Sequence, residues 1–329
     1  MARGEKIAAY GAWAAVCFFW GTTYLAISVG LETMPPMLFA GTRFLVAGAI
    51  VLAFMCGWKG ARLPRGRELL DLSVVGLMLL GVGTGLVVWA EQWVPSGLAA
   101  LLVATSPFWV AGLEGARRDG ERTGGRAVVG MLTGFAGLVM LVAPGLFNSS
   151  LNGQYVLGML ALQVACASWS AGSVYAKHHP TKVAPMMSAG AQMLIAGLAL
   201  TLIGTVKGEW SEVSFSGRSV TAFAYLVVFG SIVAYGSYTY AVQKLPLSIV
   251  STYSYINPLI AVMLGWLVLS EPLGWRVIAA TSIILGGVAL VKTAPKRLPT
   301  AVAARHDSRD ALPREVLAHA PKACSVGTN

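Results

Sequence analysis

The chain has 329 residues, of which 56% are hydrophobic and only 12% charged, whereas soluble domains carry about 25% charged residues. The net charge of +10 lies outside long neutral windows such as 7–31, 92–113 and 183–206, which excludes an ordinary soluble enzyme and a nucleic-acid-binding protein. A helix of about 20 apolar residues crosses a hydrocarbon core of roughly 30 Å. The sequence therefore predicts an all-α polytopic membrane protein.

Ten transmembrane helices are predicted in chain order. The first apolar run is too long for a cleaved signal, so we expect it to be a retained helix. The neutral block 127–176 must contain two helices, because "APGLFNSSLNGQ" at 143–154 has the composition of a turn. The predicted spans are 8–30, 36–57, 70–90, 95–116, 125–143, 154–176, 185–206, 219–241, 247–270 and 274–292.

Lysine and arginine are distributed unevenly between the two faces that these spans define. One face carries 20 of them, and the other has only Lys207, Arg218 and Arg276. Because positive loops stay in the cytoplasm, both termini are predicted to be cytoplasmic. Residues 293–329, with four prolines, are predicted to form a disordered cytoplasmic tail.

The chain contains an internal repeat with an offset of about 149 residues. "PPMLFAGTRFLVAG" at 35–48 aligns without a gap with "APMMSAGAQMLIAG" at 184–197. The predicted division is a first repeat at 1–143, a connecting loop at 144–153 and a second repeat at 154–292. Five helices are an odd number, so the second repeat enters the membrane inverted, as is typical of secondary transporters with a central site.

Two longer blocks resemble a known family. "FFWGTTYLAISVGLETMPPMLFAGTRFLVAGAIVL" and "INPLIAVMLGWLVLSEPLGWRVIAATSIILGGVALV" are similar to the opening and closing blocks of EamA-type members of the drug/metabolite transporter superfamily. The resemblance covers residues 7–292. It implies two EamA repeats in the bacterial inner membrane and the export of small metabolites by alternating access.

Within that family, similarity to exporters of neutral and aromatic amino acids makes these the first candidate substrates. Transport of drugs or nucleotide-sugar-like metabolites is the alternative, and a channel is a further one. An intramembrane enzyme would need a nucleophile and base or a metal cluster at membrane depth, and neither pattern is found in the sequence. We expect no cofactor and no metal, and a monomer whose partners are a small-molecule substrate and the lipid bilayer.

The candidate cavity residues are aromatic, hydroxyl-bearing or amide side chains near the middle of the spans, together with one arginine. Their helical spacing places several on shared faces, and an intramembrane charge such as Arg43 is a functional candidate by default. The predicted set is Trp20, Thr23, Tyr24, Arg43, Thr84, Trp89, Thr105, Ser106, Trp169, Ser173, Tyr235, Tyr238, Ser251, Tyr255 and Asn257.

Two prolines occupy equivalent places in the repeats. Ser106-Pro107 aligns with Asn257-Pro258 at an offset of 151 residues, and proline kinks a transmembrane helix by removing a backbone N–H. Pro107 and Pro258 are therefore predicted to be a symmetric pair of hinges. The sequence shows no chain of buried acids, so facilitated diffusion, exchange and coupling through Glu91 all remain open.

Overall fold

The computed structural model describes residues 3–116, 125–147, 153–245, 247–250, 253–271 and 273–293. In these ranges the chain is helical, without strands, and seven segments are long and apolar enough to span a membrane. Three others contain the shorter apolar stretches Val128–Gly137, Ile256–Leu269 and Trp275–Leu290. The all-α polytopic fold is thus confirmed. The helices are α1 (Arg3–Gly30), α2 (Pro36–Gly57), α3 (Arg67–Ala90), α4 (Ser96–Ala116), α5 (Gly125–Phe147), α6 (Gly153–His178), α7 (Pro185–Val206), α8 (Gly217–Lys244), α9 (Leu247–Val250 and Tyr253–Leu269) and α10 (Trp275–Lys292).

The helix that closes the first repeat is longer than predicted. α5 continues to Phe147, one turn beyond the expected end at residue 143, so the connecting loop is shorter than 144–153. The proline at 144 removes only its own N–H, and transmembrane helices tolerate this loss, while Leu146 and Phe147 keep the segment apolar. Residues 148–152 and the predicted tail from residue 294 onward lie outside the described residues, and the domain division stays a prediction.

Two helices contain wide turns that the sequence pattern did not predict. In α3, Leu77–Thr84 is π-helical between two α-helical parts, and in α8 the same holds for Leu226–Tyr235. Each π-helical residue bonds to the fifth residue before it, which widens the helix and shifts the side chains that follow. These segments occupy equivalent positions in the two repeats.

α2 and α7 cross each other through glycines in a reciprocal way. A Cβ at Gly48 would lie 2.7 Å from the backbone nitrogen of Leu194 and 2.9 Å from the Gly190 carbonyl oxygen. A Cβ at Gly197 would likewise lie 2.7 Å from the nitrogen of Leu45. Each contact repeats the other after the 149-residue offset, so a pseudo-two-fold axis passes through this crossing. Small residues let the two backbones approach closely, which is how helices associate in lipid.

The crossing of α5 and α10 obeys the same symmetry. A Cβ at Gly137 would lie 3.2 Å from the carbonyl oxygen of Ala280, and one at Gly287 would lie 2.6 Å from that of Gly130. The remaining helices also pair reciprocally, because α1 packs on α8 and α9 while α6 packs on α3 and α4. The described residues therefore form two inverted five-helix units.

The outside of the helices is strongly apolar. Large side chains on most of the helices are about half or more exposed to the surroundings, a condition that a soluble protein would avoid but that a lipid-facing surface requires. Examples are Phe18, Phe54, Leu132, Phe135, Leu202 and Leu267. This surface agrees with the membrane location inferred from composition.

A glutamate joins the repeats at the face that the charge distribution predicts to be outer. After α9, Ser270 adopts a left-handed φ of 55° and Glu271 turns back toward the start of α4. Its Oε1 accepts bonds from the Ser96 N–H and hydroxyl, both at 2.7 Å, and its Oε2 accepts from Gly97 N–H at 3.0 Å. A carboxylate here satisfies free amides and the positive end of the helix dipole. We call this contact the Glu271 latch.

Candidate functional site

A cavity lies between the two repeats, in the middle of the helical bundle. It contains about 770 Å³ of empty space, part of it open to solvent. Its wall is built by α1, α2, α3, α4, α6, α8 and α9. Nine of the predicted residues line it: Trp20, Thr23, Tyr24, Arg43, Thr84, Ser106, Trp169, Tyr235 and Asn257.

Two equivalent tryptophans meet across the pseudo-two-fold axis. Trp20 of α1 and Trp169 of α6 lie edge to face with ring centroids 5.4 Å apart. Trp20 also contacts Tyr253 and Tyr238, each at 5.1 Å, and its Nε1 donates to the Gly230 carbonyl at 3.3 Å. Aromatic packing of this kind holds the rings in fixed orientations. The cavity therefore has rigid π-faces suited to a flat, apolar group.

Arg43 is the one cationic side chain in the cavity wall. It is only 4% exposed, its guanidinium lies over the Phe44 ring at 4.3 Å, and its Nε has no hydrogen-bond partner. No carboxylate among the described residues lies within ion-pair distance of it. An unpaired buried charge is costly by several kcal/mol, and this arrangement is not a structural ion pair.

The position equivalent to Arg43 in the second repeat is occupied by Gln192 of α7. Gln192 is buried, and its Oε1 accepts a hydrogen bond from the Tyr235 hydroxyl. Tyr235 ends the π-helical segment of α8, and this hydrogen bond gives its buried hydroxyl a partner. The two halves of the cavity are thus unlike each other in spite of the symmetric fold.

The polar groups of α4 and α9 face the cavity beside the two prolines. With its amide oriented to satisfy both carbonyls, Asn257 donates through Nδ2 to Cys17 at 2.9 Å and to Tyr253 at 3.1 Å. The Ser106 hydroxyl donates to the Val103 carbonyl at 2.7 Å. These side chains therefore stabilise irregular backbone and also line the cavity, where a ligand can compete for them.

The two prolines play different local roles. Pro107 follows the first residue of the second part of α4, Ser106–Ala116, where a missing N–H costs no helical bond. Pro258 lies inside the helical segment Tyr253–Leu269 and removes one bond to the carbonyl four residues earlier. α4 is broken just before its proline, whereas residues 251–252 of the second repeat lie outside the described part. The symmetric hinge stays a prediction.

Glu91 lies at the end of α3, on the same side of the cavity as the Glu271 latch. It is 7% exposed, Oε2 accepts a bond from the Ser28 hydroxyl at 3.1 Å, and Oε1 has no partner. It forms no ion pair with Arg43 in this structure. Glu91 is therefore the buried acid whose protonation or hydrogen bonding could change when a ligand enters the cavity.

Four predicted residues lie outside the cavity wall. Trp89 packs against Trp93 at 4.8 Å, and the Thr105 hydroxyl bonds to its own helix and to Gln163. Ser173 and Tyr238 lie behind Trp169 and Trp20, because the tryptophans are bulkier and reach the cavity first. For these four, helical spacing identified the correct helix but not the facing side. Ser251 and the Tyr255 side chain lie outside the described residues.

Tyr253 lines the cavity and was missed by the sequence analysis. It precedes Asn257 by four residues and so shares its face of α9, a signal that was present in the sequence. The other missed residues give no chemical signal, because they are aliphatic, small or common core residues. They are Ile27, Phe44, Leu80, Gly83, Val87, Val103, Ala165, Cys166 and Gly230.

The chain resembles known proteins over most of its length. Residues 8–143 and 156–293 each match the profile of the EamA-like transporter family. A protein of Escherichia coli strain K12 described as the uncharacterized inner membrane transporter YedA is 38% identical over 283 residues, covering 86% of this chain and 90% of YedA.

A second protein of the same strain, described as a probable amino-acid metabolite efflux pump, is 28% identical over 292 residues, covering 82% of this chain and 90% of that protein. A solved crystal structure aligns with a TM-score of 0.62 at 21% identity, covering 88% of this chain and 98% of that one. That likeness concerns the fold alone.

Proposed function

The chain belongs to the EamA-like transporter family and is a membrane transporter, not an enzyme; from this we propose that it exports a small metabolite through the central cavity. The proposed substrates are neutral and aromatic amino acids. The observation that carries the proposal is the aromatic pair Trp20–Trp169 at the repeat interface, beside a single buried cation.

The chemistry of the wall favours an amphiphile with one flat apolar group. The tryptophans offer π-faces to a ring, and Asn257, Thr23 and Thr84 offer hydrogen-bonding groups nearby. A highly anionic substrate such as a nucleotide sugar would need more than the one cation that lines this cavity. One relative's description as an amino-acid metabolite efflux pump supports the same substrate class and export as the direction.

Alternating access is the proposed mechanism. Two inverted units that meet through reciprocal glycine crossings can rock about their shared axis and expose a central site to either face. The Glu271 latch joins the units at the predicted outer face, which supports a state closed on that side. We take one chain as the transport unit, since seven helices of one chain form the cavity wall.

Counterflow in proteoliposomes tests transport directly. Vesicles containing the purified protein and unlabelled tryptophan are expected to accumulate external labelled tryptophan transiently, because exchange through a carrier couples the two fluxes. A channel gives no such overshoot. Labelled uridine-diphosphate glucose, run in parallel, is expected to give none. Overshoot with the nucleotide sugar but not with tryptophan would refute the proposed substrate class.

Trp20→Ala is expected to lower the rate of tryptophan counterflow about tenfold, since it removes a ring face worth about 1 kcal/mol and loosens the ring cluster. Phe18→Ala is the matched control, because Phe18 lies two residues away on the same helix and is exposed on the lipid-facing surface. Its rate is expected to stay within twofold of that of the unmodified protein. Equal rates for the two variants would place the substrate elsewhere.

Topology can be measured in bacteria by fusion proteins. We propose that both termini are cytoplasmic in the inner membrane, so green fluorescent protein fused at the C-terminus is expected to fluoresce. Alkaline phosphatase fused there is expected to be inactive, and fused after Glu32, between α1 and α2, it is expected to be active. The reverse pattern would overturn the orientation.

A further inference from the structure

The two repeats differ at one pair of equivalent positions that faces the cavity. Arg43 of α2 corresponds to Gln192 of α7 by the 149-residue offset. Thr84 and Tyr235 correspond as the last residues of the π-helical segments in α3 and α8. All of these except Gln192 line the cavity, so a symmetric framework carries an unsymmetric set of polar groups.

In the second repeat, the residues at these two positions, Gln192 and Tyr235, are hydrogen-bonded to each other. The Tyr235 side chain extends toward α7, and its hydroxyl donates to Gln192 Oε1. Tyr235 is 2% exposed and Gln192 5%. Because the Tyr235 hydroxyl and the Gln192 amide oxygen are bonded to each other, and Gln192 is uncharged, this half of the cavity has no cation for a charged ligand.

In the first repeat, the equivalent residues Arg43 and Thr84 form no such hydrogen bond. Thr84 is much smaller than tyrosine, and its hydroxyl is directed to the Leu79 carbonyl at 3.4 Å. Arg43 Nε therefore remains without a partner although it is fully buried. By the symmetry of the repeats, the space equivalent to that of the Tyr235 ring is expected beside Arg43, and Arg43 and Thr84 both line the cavity.

The protein itself supplies no anion to Arg43 among its described residues. The side chain of Glu91 is bonded to Ser28 and forms no ion pair with the guanidinium. A planar guanidinium matches a carboxylate through two parallel hydrogen bonds. A buried, unpaired arginine at the edge of a cavity is therefore suited to a carboxylate that arrives with the ligand.

We propose that Arg43 binds the carboxylate of the transported substrate in the space that Thr84 leaves open, with the apolar group of the substrate against Trp20 and Trp169. The proposal rests on the proposed function in so far as the central cavity is the transport site. It adds that a carboxylate is required and an amino group is not. It also predicts a single orientation for the bound substrate, because Gln192, at the equivalent position in the second repeat, is uncharged and already bonded to Tyr235.

Thermal unfolding of the purified full-length protein in detergent tests this with three compounds that share a phenyl ring. Phenylalanine and 3-phenylpropionate carry a carboxylate, whereas 2-phenylethylamine carries only the amine. Binding to the folded state raises the melting temperature. The two carboxylates are expected to raise it and the amine to leave it unchanged.

Variants at Arg43 distinguish the contribution of its positive charge from that of its planar guanidinium group. Arg43→Gln, which copies the second repeat, is expected to weaken apparent binding of both carboxylates at least about tenfold, as the loss of a charge-assisted bond implies. Arg43→Lys is expected to keep part of the affinity, since it keeps the charge without the planar fork. Arg276→Gln, the same change at an exposed residue, is expected to have no effect.

Thr84→Tyr is a second, independent variant, because it fills the open space and leaves the arginine in place. It is expected to abolish carboxylate binding while the protein elutes as a single folded species. Equal stabilisation of the unmodified protein by the amine, full binding in Arg43→Gln, or no stabilisation by either carboxylate would each overturn the proposal.

The experiments distinguish failure of the proposed carboxylate site from failure of the proposed transport function. Arg43-dependent binding of 3-phenylpropionate without counterflow of tryptophan would uphold the carboxylate site and reject amino acids as the transported class. Counterflow of tryptophan at an unchanged rate in Arg43→Gln would uphold amino-acid transport and reject the role of Arg43.

Discussion

Replacing Gly48 with leucine is expected to abolish the folded protein. The new Cβ would lie 2.7 Å from the backbone nitrogen of Leu194 and 2.9 Å from the Gly190 carbonyl oxygen, and backbone atoms cannot rotate away as a side chain can. Overpacking of this kind costs about 3 kcal/mol, and here it separates α2 from α7. We expect a large loss of the monodisperse peak in size-exclusion chromatography and a markedly lower melting temperature.

Two further variants test whether the effect depends on the crossing of α2 and α7. Gly197→Leu is expected to have the same effect, because its Cβ would meet the Leu45 nitrogen at the same 2.7 Å. Gly57→Leu is the control at the end of α2, where no heavy atom lies within 4 Å of the added Cβ. A stable Gly48→Leu variant, or a difference between the Gly48 and Gly197 variants, would show that the crossing is not the symmetric contact described above.

Glu271→Gln is the second change with a large expected effect. The substitution keeps the size of the side chain but removes the negative charge that accepts three hydrogen bonds from Ser96 and Gly97. An amide nitrogen would then face N–H donors. We expect a loss of about 2 kcal/mol in unfolding free energy together with slower counterflow, because the closed state loses its contact at the outer face.

Glu32→Gln provides the matched control on the same face. Glu32 pairs with Arg218 at 2.9 Å, but both side chains are largely exposed, and exposed pairs contribute less than about 1 kcal/mol. Its melting temperature is expected to stay close to that of the unmodified protein. If the two glutamine variants behaved alike, the Glu271 latch would contribute no more than a surface ion pair.

The helical framework was predictable from the sequence because the physical constraint on it is severe. A bilayer admits only helices or closed barrels and fixes their length, so neutral windows between charged loops identified helices such as α2 and α7 to within one turn. The repeat offset also identified Gly48 and Gly197 as equivalent positions. The π-helical segments were not predictable, because they replace one hydrogen-bonding pattern with another and leave hydropathy unchanged.

The cavity was predictable only in part, since helical spacing does not show which polar face looks inward. Trp20, Trp169 and Arg43 were identified because large aromatics and a charge in mid-membrane are rare. Trp89 was assigned to the wall although it packs against Trp93, and Tyr253 was overlooked beside Asn257. The end of α5 was misplaced because the whole stretch 143–154 was read as a turn from its composition, whereas its first residues continue the helix to Phe147.

The contact between the two halves has the form of an isologous dimer interface, although one chain makes it. In such an interface each surface patch is complementary to its own copy, and the Gly48 and Gly197 contacts have this property. The two halves are therefore related to each other as the protomers of an inverted dimer are. Their covalent connection fixes the stoichiometry at one of each half.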